Sequence, residues 1–130
     1  MRRKWLSVGV LATLAAGVMA ADIDFSDLDD SRMRDMEDGV KELDATLGAQ
    51  GGAATLATAA ALDDGLAWVE KYFANKPEAP LGAGFAREGR EHVAALIKAV
   101  EVQDFEAAPT HLRAVVRSCK ACHEAYKPPE

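Results

Sequence analysis

His111-Leu112-Arg113-Ala114-Val115-Val116-Arg117-Ser118-Cys119-Lys120-Ala121-Cys122-His123-Glu124-Ala125-Tyr126 decides the reading of this chain. Leu112, Val115, Cys119, Cys122 and Tyr126 recur at spacings of three, four, three and four, the period of one buried stripe on an α-helix. The same stripe carries Cys-x-x-Cys-His, the attachment signature of c-type haem. Two thiols three positions apart on a helical turn can each form a thioether to a haem vinyl group, and the adjacent imidazole can then reach the iron as proximal ligand. The pentapeptide therefore predicts one covalently attached haem c, held through Cys119 and Cys122 with His123 on the iron.

Three plainer readings of the same residues stand beside this one. A thioredoxin-like dithiol belongs next to a βαβ pattern, and no strand-like alternation is present. Structural zinc needs four protein ligands; with two cysteines, the others would come from His92, His111 or His123 at no familiar spacing. An ordinary disulfide is the third. A haem-free helical module using the thiols for redox or metal binding is accordingly an alternative function.

Working outward, Asp104 is placed as the N-cap of this last helix, and Pro109 in its second turn predicts either a kink or a short turn followed by a helix from Thr110. Pro128-Pro129 ends it. Three further helical segments precede it. The first runs from about Ser26 or Ser31 to Leu47, with Met33, Met36, Val40, Leu43 and Leu47 on one stripe, and stops at the glycine-rich 48–52. The second, 53–74, begins alanine-rich and then presents Leu62, Leu66, Val69 and Phe73 before Asn75-Lys76-Pro77. Residues 75–84, with two prolines and two glycines, read as the longest loop. The third segment, 85–102, shows Phe85, Val93, Leu96 and Val100 on one side, with Gly89 where two helices or a haem could approach closely. Four amphipathic helices, each about 30 Å long at about 1.5 Å per residue, predict an all-α, antiparallel four-helix bundle with covalently bound haem.

Arg2-Arg3-Lys4, an apolar run of 14 residues from Trp5 to Val18, and Val18-Met19-Ala20 have the form of a secretory signal cleaved after Ala20. The run is shorter than the about 20 residues that span a bilayer, so no stable membrane insertion is expected. Residues 21–130 then form a single domain of 110 residues in the periplasm, where covalent haem attachment takes place. The full chain stands at −6 and the leader holds three cations and no acid, which leaves the exported domain at −9. So acidic a chain argues against nucleic acid and for redox partners with a basic docking patch.

These features together resemble the class II c-type cytochromes, the family of cytochrome c′ and its low-spin, Met-ligated relatives. The resemblance covers the whole of 21–130 and rests on a four-helix pattern with Cys119-x-x-Cys122-His123 at its C-terminal end. Two further places match: Lys127 falls where the family usually has Arg or Lys, and Arg32-Met33-Arg34-Asp35-Met36 is similar to the Arg-x-x-x-Met of the family's first helix. The resemblance implies that Arg32 lies near a haem propionate and that Met36 faces the distal side of the iron. It also implies dimers packed through the first two helices; the small residues Ala53, Ala54, Ala57 and Ala59–Ala61 suit that arrangement or tight packing within one chain.

The residues bear a physical reading of their own. Lys127, one turn beyond His123, places a cation near the proximal edge or else favours the helix dipole. Met36 fills a core position in any case, and its soft sulfur suits a sixth coordination site, with Met33 its competitor one turn earlier. His92 and His111 need no role beyond the surface, and Trp68, Tyr72 and Phe73 form an aromatic group suited to core packing. Function divides on that sixth position. With Met36 bound the protein is an electron carrier, since the iron has no open site; with it empty, five-coordinate binding of nitric oxide or carbon monoxide is implied. No nucleophile pattern, phosphate-cradling glycine loop or paired carboxylates point to an enzyme.

Overall fold

The computed structural model describes residues 23–126; the expected leader with its cleavage after Ala20, Lys127 and the Pro128-Pro129 stop lie outside the described residues. Four α-helices follow one another: α1 (Asp30–Gly48), α2 (Ala53–Ala74), α3 (Gly82–Glu101) and α4 (Ala108–Tyr126). There is no strand among the described residues. Each helix packs its backbone on the next and α1 packs on α4, while the backbones of the diagonal pairs stay apart, so the four stand at the corners of a square. Consecutive helices run antiparallel. Gly39 lies against Thr58 and Met36 against Gly65, so numbers rise along α1 as they fall along α2. This is the four-helix bundle that the apolar stripes require, because each helix has one face to bury and two neighbours to bury it against.

The helix ends show why the chain breaks where it does. The Asp29 carboxylate accepts the Ser31 N–H at 3.0 Å and caps α1. At the end of α1 the Gly51 N–H reaches the Thr46 carbonyl at 2.8 Å, and at the end of α3 the Asp104 N–H reaches Ala99 at 2.8 Å. Both are Schellman closures. The residues turned into the left-handed region are Gln50 (φ 53°) and Gln103 (φ 59°), so the glycines of 48–52 are not the ones that reverse the chain.

Two boundaries differ from the sequence expectation. α3 begins at Gly82 rather than Phe85, which shortens the loop to 75–81. Gly82 serves close packing there: the ring of Phe73 occupies the space a Cβ would need. A glycine that reads as a loop residue is thus a contact between α2 and α3. In α4, Pro109 is the second helical residue, in the first turn, where the N–H it lacks has no helical partner to lose. Asp104 does cap this region, its carboxylate accepting the Ala107 N–H at 3.0 Å, but through a short turn that precedes the helix.

The core has two parts. An aliphatic cluster of Leu43, Leu47, Leu62, Leu96, Val100, Leu112 and Val115 fills the middle and the end where α1 turns into α2. Leu43, Val93, Leu96 and Val115 are completely buried, each a gain of about 1.5–3 kcal/mol over the exposed side chain. An aromatic cluster built on Val69, Phe73, Ala79 and Ala86 closes the opposite end, where α4 finishes.

Candidate functional site

α4 carries the sequence motif where its apolar stripe passes from one cluster to the other. Cys119 packs on the aliphatic cluster and Cys122 on the aromatic one; both are half-buried, and no disulfide joins them. Burial pushes both thiols up, Cys122 to about 11, with the neighbouring Cys119 adding to the shift. At neutral pH the folded chain therefore holds them as neutral thiols. With roughly 100° between successive residues, Cys122, Cys119, His123 and Val116 follow one another around α4 from the core toward solvent. His123 is exposed at the rim.

Both candidate methionines come to this end of the bundle from α1. Met33 lies against the aromatic cluster with Cys122, and Met36 touches both clusters, so it shares its surroundings with both cysteines. Met36 has a socket. A Cβ on Gly65 of α2 would stand 2.6 Å from the Met36 Cγ and 2.7 Å from its Sδ, so the thioether fits because residue 65 has no side chain. Sequence reasoning passed over Gly65, although a lone glycine inside the α2 pattern was the available signal. Arg32, exposed one turn before Met36, lays its guanidinium over the Trp68 ring at 5.0 Å, a cation–π contact between α1 and α2.

The approach to α1 forms a strap over the aromatic end, which the sequence reading did not foresee. Phe25 meets Phe73 and Tyr126 edge-on at 6.0 and 6.1 Å, and Phe73 stacks on Tyr126 at 5.6 Å. The Tyr126 hydroxyl accepts the Leu81 N–H at 2.8 Å, fastening the end of α4 to the start of α3. Tyr72 donates to the Asp27 carboxylate at 2.6 Å, and the mostly buried Lys76 ammonium pairs with Asp27 at 3.3 Å while lying over the Phe25 ring at 5.3 Å. The Tyr72 hydrogen bond holds the Asp27 carboxyl below the usual carboxylate range, and burial lifts the Tyr72 phenol above its own. The signal for this latch was weak, because Phe25, Asp27 and Lys76 lie outside every periodic stripe.

The remaining candidates fall elsewhere. His92 sits on α3 with its Nε2 3.7 Å from Glu88, and His111 is half-buried at the start of α4. Among the described residues no three of His, Cys, Asp or Glu converge to hold a metal ion, so the zinc set drawn from the two cysteines with His92, His111 or His123 is not assembled. A haem asks less of the protein: two thiols, one imidazole and at most one more donor. The donors present fit it, with paired thiols and an imidazole on one side of α4 and two thioethers from α1 at the same end. The packing fits as well. α1 and α4 form the sparsest seam of the bundle, whereas the helix-to-helix ion pairs among Lys, Arg, Asp and Glu of the described residues all join α2 to α3. Two shallow surface depressions, one beside Asp27 and Tyr72 and one beside Gln50 and Asp104, include neither thiol.

Gly89, which sequence left between helix contact and haem contact, lies where three helices meet: a Cβ there would stand 3.3 Å from Leu66 and 3.8 Å from Ser118. No helix among the described residues is long and apolar enough to cross a membrane. Comparison with models of known protein families, with curated proteins and with solved structures found no match for the chain.

Proposed function

We propose that this chain is an exported, periplasmic mono-haem protein that carries single electrons, a class II c-type cytochrome with His123 and Met36 as axial ligands. The observation that carries the reading is the meeting of Cys119, Cys122 and Met36 at one end of the bundle, from helices that are distant in sequence. A haem bound there supplies a one-electron ferric–ferrous couple. Cys119 and Cys122 are the attachment points, one helical turn apart on a rigid helix. His123 brings its imidazole from the next position, and the Met36 thioether, backed by Gly65, is the soft donor from the other side. The apolar side chains of both clusters, against which the thiols and the Met36 thioether pack, would favour the less charged, reduced state. Arg32 and Lys127 are the cations assigned to the edge of the group.

This reading predicts a carrier and not an enzyme, because a thioether in the sixth position leaves no site for a substrate. Support against gas binding at an open iron comes from Met36 itself, which is held in a socket rather than free at the surface. An absorption spectrum of the purified protein tests attachment and ligation together. A low-spin spectrum with a sulfur-to-iron charge-transfer band is expected when oxidised, and Met36→Ala should turn it high-spin. An unchanged spectrum in that variant removes Met36 from the iron, and high-spin character at the outset gives the five-coordinate reading. Pigment that acid–organic extraction strips from the polypeptide would end the haem c reading altogether. The haem-free alternative is checked by alkylation in denaturant, since folded thiols with raised pKa values react slowly in either case.

A further inference from the structure

The charge of the exported domain calls for a basic partner, yet the face of α4 beside the proposed attachment site has the opposite sign. Arg113, Arg117 and Lys120 are all exposed and lie on one outward strip of α4, three or four residues apart. Val116 stands between them and His123, 42% exposed, one of three large apolar side chains open to solvent among the described residues. Arg113 hydrogen-bonds Thr110 Oγ1 at 3.0 Å, and among the described residues neither it nor Arg117 pairs with a carboxylate. Lys120 is only loosely matched, 3.8 Å from Glu124 with both side chains about two-thirds or more exposed. Glu124 is the one acid in α4.

We propose that this strip of α4 is the docking surface for electron exchange and that it receives a redox protein whose docking patch is lined with carboxylates. The inference rests on the electron-carrier reading and gives it a partner of defined sign. Screening decides between the local and the total charge. At physiological ionic strength the Debye length is about 8 Å, so a partner seated on α4 feels the cations under it and little of the acids on distant faces. α1, which packs on α4, carries six acids, and its Lys41 already pairs with Glu37 and Asp38 at 3.3 Å each. A positive strip beside a negative ridge also fixes the orientation in which a complementary surface can dock. The layout suits a transient complex: a small apolar contact at Val116, a charged rim of Arg113, Arg117 and Lys120, and the His123 edge within the footprint.

The test uses the isotope-labelled mature holoprotein with two paramagnetic probes of opposite charge, the hexacyanochromate(III) anion and the tris(ethylenediamine)chromium(III) cation. The anion is expected to broaden the amide signals of 113–120 and the cation those of α1. Replacing the three cations together (Arg113→Gln, Arg117→Gln, Lys120→Gln) should abolish the anion's effect without altering the fold. In stopped-flow oxidation and reduction at low salt, the hexacyanoferrate couple should react about tenfold faster with the native protein than with the triple variant, and the advantage should vanish as salt is raised. Hexaammineruthenium should show no such loss. Broadening of 113–120 by the cation in preference to the anion, or equal hexacyanoferrate rates for native and variant proteins, overturns the proposal. Failure of the electron-carrier reading looks different: neither reagent exchanges electrons with the protein, while the broadening pattern still reports the sign of the surface.

Discussion

The two ends of this bundle are built on different chemistry. The end where α1 turns into α2 is aliphatic and closed, with Leu43, Leu96 and Val115 fully buried. Its one misfit is Thr55, completely buried with a hydroxyl that has no hydrogen-bond partner among the described residues. The other end is aromatic and sulfur-bearing, with Met33, Met36 and Cys122 only partly covered and Asp27, Tyr72, Lys76 and Tyr126 tied to neighbours. The contrast separates the end that holds the bundle together from the end where the proposed site lies. Close-packed aliphatic side chains hold the helices together, and the opposite end can then keep soft donors half-exposed on a scaffold that does not depend on them.

That division can be broken experimentally. Leu96→Ala should have the largest effect on folding, about 2–5 kcal/mol by denaturant titration, while the absorption spectrum of the folded protein stays unchanged. A changed spectrum would show that the two ends are coupled. Gly65→Ala comes next, because the new methyl must displace the Met36 thioether: about 1–3 kcal/mol of stability is expected to be lost, together with a shift in the sulfur-to-iron band. Loss of stability with an intact band would separate the Met36 socket from iron ligation. Thr55→Val removes the unmatched hydroxyl at nearly constant shape and should raise stability by about 1 kcal/mol, read as a higher denaturant midpoint.

The smallest effect is on the strap, and it depends on pH. Asp27 has a lowered pKa in the folded chain, so its contribution is complete above the ordinary carboxylate range and is lost only as pH falls through the depressed value. Proton–proton contacts between Phe25 and Phe73 should persist at mildly acid pH and fade below that range. In Asp27→Asn they should be weakened at neutral pH, with the midpoint of global unfolding unmoved. If the midpoint follows the strap, the aromatic end is part of the scaffold and the division fails.

Most of the fold was legible, for a simple reason: a stripe of apolar residues at helical period has one way to be buried in a chain of this length. α2 was placed at about the span it occupies, and the Met33–Leu47 and Leu112–Tyr126 stripes lie on α1 and α4 as expected. The errors came from residues whose local preference was overruled by a neighbour. Gly82 and Gly84 favour a loop in isolation, yet they open α3 because Phe73 needs the room beside Gly82. Gln50 takes the left-handed position although glycines stand on both sides of the turn, because the closing bond from Gly51 to Thr46 fixes which residue must bend.

The candidate site divides in the same manner. Sequence by itself determined that Cys119, Cys122 and His123 share one side of a helix, since three and four residues make about one turn, and that Met33 and Met36 lie on a buried stripe. Only tertiary structure decided that those two stripes meet at one end, that Gly65 makes the socket for Met36, that Arg32 rests on Trp68, and that a strap latched by Asp27, Tyr72 and Lys76 lies over Phe73. The physical reason is range. Helical periodicity and capping act between residues a few positions apart, whereas packing joins α1 to α4 across most of the chain, through contacts that no local pattern records.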